Sequence, residues 1–166
     1  MRKLSPATQV LGLAAWLLVC FTIAGLGAVA SIDATAFYTH LELPDWAPPA
    51  SVFGPAWTTI FVLMAVAAWL VWRQGGFRCA RVALSLFLAH LPINALWSWL
   101  FFAWRLGGAA FADVLLLWIT IAVLLVLFWR RSRYSGVLLL PYLAWVTFAA
   151  ALNFTVWRLN PDLTGQ

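Results

Sequence analysis

Three rows of side chains hold most of the chain's capacity for chemistry. Asn94, Trp97, Ser98 and Phe101 follow an i, i+3, i+4, i+7 spacing, and Tyr142, Trp145, Ala149, Leu152 and Asn153 form a similar row. Trp57, Phe61, Met64 and Ala68 repeat the pattern without polar groups. At helical spacing each row occupies one face. Amide, hydroxyl, phenol and indole groups on such faces can stack against and hydrogen-bond a flat apolar molecule. They are not equipped to break covalent bonds by hydrolysis. The chain has no paired carboxylates, Ser-His-Asp set, Cys-His cluster or glycine-rich phosphate loop, so no catalytic residue and no metal ligand is assigned. His40 and His90 could bind haem iron, but they lack partner spacing and read as structural. Asp113 is the one acid inside an apolar run. It serves either a proton pathway or a helix start, where the helix dipole and the nearby Arg105 hold an anion.

These rows need a scaffold, and composition identifies it. The 166 residues are 65% hydrophobic and 9% charged, with mean hydropathy +0.95, whereas a soluble domain carries about 25% charged residues. Five apolar stretches, near 8–30, 51–73, 79–104, 108–129 and 134–157, reach the ~20 residues that a membrane-crossing helix needs. Lipid tolerates no unpaired strand backbone, so the chain reads as an all-α membrane protein, a five-transmembrane-helix bundle forming a single domain over 1–166. The first stretch imitates a signal peptide, with Arg2 and Lys3 ahead of it and Ala28-Val29-Ala30 at its end. Its apolar run is longer than the 7 to 15 residues typical of a leader, which favours a retained helix. Cys20 and Cys79 lack metal-ligand spacing and read as free thiols.

The net charge of +5 follows from topology rather than from nucleic-acid binding. Arg2, Lys3, Arg73, Arg78, Arg81, Arg130, Arg131 and Arg133 share one side, and only Arg105 and Arg158 lie on the other. This asymmetry places the N-terminus in the cytoplasm and the C-terminus outside, and suits a bacterial inner membrane. The long connection 31–50, which carries Asp33, Glu42 and Asp45 without Lys or Arg, then lies outside. In DWAPPASVFGPAW, residues 45–57, Pro48 and Pro49 hold the chain extended and Pro55 falls in the first turn of the second helix. That frame fixes where Trp57 points. Of the twelve tryptophans, Trp69, Trp72, Trp104, Trp129 and Trp157 fit an interfacial belt. Trp97, Trp118 and Trp145 fall inside segments and are either packed core or the lining of a pocket. Asn94 and Asn153 mark the inward sides of their helices, because polar groups in a bilayer turn toward the bundle.

Trp46-Ala47-Pro48-Pro49, Phe53-Gly54-Pro55-Ala56-Trp57-Thr58, Asn94-Ala95-Leu96-Trp97-Ser98 with Phe101-Phe102, and Pro141-Tyr142-Leu143-Ala144-Trp145 running on to Leu152-Asn153-Phe154 and Trp157-Arg158 together resemble the TspO/MBR family of tryptophan-rich sensory proteins. The resemblance extends over residues 10–161. It implies a homodimer in a lipid bilayer that binds porphyrins or haem, needs no resident cofactor, and in animal relatives takes sterols. Carried over residue by residue, the resemblance implies a ligand site of Tyr38, Trp57, Phe61, Asn94, Trp97, Trp145, Ala149 and Leu152. Phe61 stands where relatives often have tyrosine. The sterol-recognition pattern survives as Leu152, Phe154 and Arg158, with phenylalanine at its central tyrosine position.

Three functions follow as expectations. The first is a sensor, carrier or regulator of tetrapyrrole levels, with flat apolar ligands such as sterols as further cargo. The second is light-dependent porphyrin oxidation at the pocket tryptophans. The third is ion- or proton-coupled transport of a small molecule, for which Asp113 is the only candidate group.

Overall fold

The computed structural model describes residues 5–165, so the expectations that rest on Arg2 and Lys3 lie outside the described residues. Five helices are long and apolar enough to cross a membrane: α1 Pro6–Ala30, α3 Phe53–Trp72, α4 Gly76–Ser98, α5 Gly107–Arg131 and α6 Arg133–Leu159. A short helix, α2 Ala34–Thr39, lies in the connection between α1 and α3, and another, α7 Pro161–Thr164, follows α6. The chain is an integral membrane protein built as an all-α, five-helix bundle.

Local chemistry sets the ends of these helices. Ser5 caps α1, its hydroxyl accepting from the Thr8 N–H at 3.2 Å, with Pro6 at the first helical position. Gly75 and Gly76 take φ of 138° and 67° in the turn from α3 to α4, a region that only glycine enters freely. Ser132 alone separates α5 from α6 and caps the latter through the Ser135 N–H. Pro49 is extended and leads through a 3-10 turn, Ala50–Val52, into α3, with Pro55 in the first turn as the sequence indicates.

The structure adds two features. The connection 31–50 contains a helix, α2, whose Phe37 and Tyr38 are buried. In α4, Pro92 is absorbed with helical dihedral angles, and the kink falls at Ala80, with φ −132° and ψ 33°. A π-helical turn, Trp99–Ala103, then completes α4. The extra residue per turn rotates Phe101 and Phe102 relative to Trp97. Phe101 stacks on Trp97 at 5.4 Å between centroids and 11° between planes.

Around the bundle the helices neighbour one another in the order α1, α3, α6, α5, α4 and back to α1, with α5 and α6 most extensively paired. Because α4 closes the ring against α1, an interior space is enclosed that no single helix pair could form. Arg73, Arg78, Arg81, Arg130, Arg131 and Arg133 gather at one end of the bundle, while Arg105 and Arg158 flank the end covered by residues 31–52. We refer to the latter as the loop end.

Candidate functional site

At the loop end a cavity of about 450 Å³ opens between α1, α2, α3 and α4. Two of the three sequence rows supply its walls. From α3 come Trp57 and Phe61, whose rings lie 6.0 Å apart, and from α4 come Asn94, Trp97 and Ser98. Tyr38 of α2 forms the roof. Of the eight residues carried over from the family resemblance, Tyr38, Trp57, Phe61, Asn94 and Trp97 therefore share one cavity.

The row on α6 stands behind this wall rather than in it. Trp145 meets Trp57 edge-on at 6.5 Å and Phe53 at 5.9 Å, while Ala149 and Leu152 are buried. The polar members of α6 bond directly to those of α4. Asn94 Nδ2 donates to the Tyr142 hydroxyl at 2.8 Å. Trp97 Nε1 donates to Asn153 Oδ1 at 3.0 Å, and Asn153 Nδ2 donates in turn to the Gly107 carbonyl at 3.1 Å. An indole has only one N–H, so Trp97 offers the cavity its ring and not a donor. The Asn94 amide keeps further hydrogen-bonding capacity beyond its bond to Tyr142. Trp145 Nε1 is buried without a partner.

The roof is fastened in several places. Asn160, 7% exposed, accepts from the Glu42 N–H through Oδ1 at 2.7 Å and donates through Nδ2 to the Glu42 carbonyl at 2.9 Å, which pins the middle of the loop to the end of α6. The Tyr38 hydroxyl donates to the Pro48 carbonyl at 3.0 Å, and burial pushes the phenol above its ordinary value. Arg105 lies over the Phe37 ring at 4.9 Å instead of beside Asp113. Asp113 is buried with Oδ2 unpartnered.

Other singled-out residues lie away from the cavity. His90 is buried, its Nδ1 bonded to the Phe87 carbonyl, and His40 Nδ1 lies 2.6 Å from the Ala36 carbonyl. Trp118, expected in the interior, is on the outer flank of the bundle and donates to the Thr147 hydroxyl at 2.8 Å. In the sterol-pattern remnant, Leu152 points inward, whereas Phe154 and Arg158 are exposed and Phe154 packs on Phe111 at 5.2 Å.

Residues 14–158 match the profile of the TspO/MBR family. The chain belongs to the TspO/MBR family. Protein CrtK of Rhodobacter capsulatus is 37% identical over 152 residues, covering 89% of this chain and 92% of that protein. The tryptophan-rich protein TspO of Chlorobaculum tepidum is 37% identical over 158 residues, with 92% and 98% covered. Human translocator protein is 40% identical over 131 residues, 78% of each chain.

The TspO/MBR chain also builds its cavity from residues that the sequence rows did not reveal. The loop-end half of α1 supplies Ala24, Gly25, Gly27 and Ala28, and the start of α3 supplies Phe53. Composition did not single out the α1 residues, because the other half of α1 also holds small residues, Ala7, Gly12, Ala14 and Ala15. Hydrophobic periodicity was silent there, since α1 is apolar on all sides.

Proposed function

We propose that the cavity binds a flat, apolar tetrapyrrole, a porphyrin or haem, and that the protein acts as a sensor, carrier or regulator of such molecules in the membrane. The observation that carries this reading is the wall itself: Trp57, Phe61, Trp97 and Tyr38 present rings around about 450 Å³, with Asn94 as a buried amide. Ligand sites of about 300 to 1,000 Å³ are lined in this manner, by apolar surface with a few placed polar groups. Ring stacking and apolar burial supply affinity, and Asn94 orients the ligand's polar edge. Family membership supports the same ligand class. No resident cofactor is needed, because aromatic and backbone contacts hold the fold.

Titration with protoporphyrin, followed by the porphyrin's own absorbance, tests the reading. Trp57→Ala removes one aromatic contact, and a cost of about 1 kcal/mol corresponds to roughly fivefold weaker binding. Trp118→Phe, remote from the cavity, leaves binding unchanged. Equal affinity in wild type and Trp57→Ala would remove the assignment.

A second reading, light-driven oxidation of bound porphyrin by dissolved dioxygen beside Trp57 and Trp145, is favoured by the edge contact of their rings at 6.5 Å. It predicts new absorbing products under illumination that are lost in the Trp→Phe variants. We also propose that the arginine-rich end faces the cytoplasm of a bacterial inner membrane and that two copies associate as a homodimer. Six arginines at one end against two at the loop end support the orientation. Protease accessibility of the loop end in spheroplasts tests the orientation, and the mass of the detergent-solubilised particle tests the assembly.

A further inference from the structure

We propose that the ligand enters and leaves the cavity sideways, from the half of the bilayer at the loop end, through the cleft between α1 and α3, rather than through the roof. The inference rests on the ligand-binding reading above and adds the route and the phase from which the ligand comes. It follows from comparing how the roof and the side are fastened.

The roof is tied by the two bonds between Asn160 and the Glu42 backbone and by the Tyr38 bond to Pro48. Trp46 adds an edge contact with Phe148 of α6 at 5.9 Å. Lifting the loop would break the Asn160 bonds and the Trp46 contact together, while the Tyr38 bond to Pro48, internal to the loop, keeps the roof rigid as one piece.

The side is different. α1 and α3 are joined at the end away from the loop, where Trp69 Nε1 donates to the Gln9 carbonyl at 2.9 Å and a Cβ on Gly12 would stand only 2.2 Å from the Trp72 ring. Gly25 lies thirteen residues beyond Gly12, about 20 Å along the helix. There α1 leans on α4 instead, with Ser98 Oγ 3.4 Å from where a Gly27 Cβ would be. Between α1 and α3 the cavity reaches the bundle surface. Phe21 and Gly25 on α1, and Gly54 and Thr58 on α3, line it and are at the same time exposed. A Cβ added at Gly25 or Gly54 would meet no atom within 4 Å.

The depth of this mouth decides what it faces. Phe21, 40% exposed, lies nine residues before the end of α1, about 13 Å below it. Half of a hydrocarbon core is about 15 Å thick, so the mouth spans acyl chains and not water. The Thr58 hydroxyl donates to the Gly54 carbonyl at 2.9 Å, which satisfies the mouth's hydroxyl donor internally. Such an opening admits molecules already dissolved in the bilayer, edge-on, and selects flat apolar ligands over water-soluble ones.

The test uses the full chain in phosphatidylcholine nanodiscs, with protoporphyrin as the probe and stopped-flow absorbance as the readout. Gly25→Leu and Gly54→Leu narrow the mouth and are expected to slow association by about tenfold, a barrier change of about 1.4 kcal/mol, and to slow dissociation as well. Phe21→Ala widens the mouth and is expected to speed both rates. Asn160→Ala, which frees the roof, is expected to change neither. The proposal is overturned if Asn160→Ala accelerates both rates while the glycine variants and Phe21→Ala leave them as in wild type. Absence of any equilibrium binding in the wild type would instead defeat the ligand reading itself, which distinguishes the two failures.

Discussion

Replacing Asn153 by alanine tests how the cavity wall is held. This side chain, 1% exposed, accepts from Trp97 Nε1 at 3.0 Å and donates to the Gly107 carbonyl at 3.1 Å, so it ties α4 to the start of α5 from its place on α6. Alanine removes both bonds and leaves the indole N–H with no partner in a water-poor interior, while the Gly107 carbonyl, at the start of α5, keeps only its helical bond. Hydrogen bonds measured inside membrane proteins average about 0.6 kcal/mol and reach about 1.7, so two of them are worth about 1 to 3 kcal/mol. Reversible unfolding in mixed detergent micelles should show that loss. The same variant should also weaken porphyrin binding, because Trp97 is no longer held flat against Phe101. In a Trp97→Phe background the indole bond is already absent, so Asn153→Ala should then cost less by about 0.6 kcal/mol. Strict additivity of the two substitutions, or wild-type stability in Asn153→Ala, would refute the claim that this bond positions the wall.

Three further outcomes follow from the geometry. Gly12→Val drives a side chain into the Trp72 ring, where even a Cβ would approach to 2.2 Å, and should cost about 1 to 3 kcal/mol of stability; Gly25→Ala, with open space at that point, should be neutral by the same unfolding assay. The Tyr38 phenol is raised above its ordinary 10.0 by burial, so the folded state holds its proton more tightly than the unfolded chain. Its contribution is therefore intact below pH 10 and is lost as pH rises through the higher folded value, and Tyr38→Phe should remove that part of the alkaline dependence of thermal stability. Asn160→Ala should increase hydrogen exchange at the Glu42 amide, which now donates to the Asn160 side chain at 2.7 Å, while exchange in α3 stays unchanged.

Much of this was legible in the residues. Span length and hydropathy are enough to define five crossings, because lipid permits few alternatives. Asn94 and Asn153 correctly mark the inward faces of α4 and α6, since a buried amide must find partners, and they find Tyr142 and Trp97. The spacing that puts Trp57, Phe61, Asn94 and Trp97 on inward faces also brings them to one cavity. What spacing could not show was which helix stands in front. α6 carries a row as aromatic as that of α3, yet the ring order of the helices sets Trp145 behind Trp57. Trp118 misleads for a related reason: an indole on the lipid face can satisfy its N–H with Thr147 one helix away, so depth in a segment does not imply burial in the bundle. Residues of α1 were silent because glycine and alanine line a space by what they lack. The Asn160 clamp joins positions 118 residues apart, a pairing that no local pattern encodes.

The most direct measurement is a structure determined with protoporphyrin bound. The account predicts the macrocycle between Trp57 and Phe61 on one side and Asn94 and Trp97 on the other, beneath Tyr38, with no rearrangement of the Asn160 clamp. A macrocycle bound on the lipid-facing surface, beside Trp118 or against Phe154 and Arg158, with the cavity between α1 and α4 left empty, would contradict it.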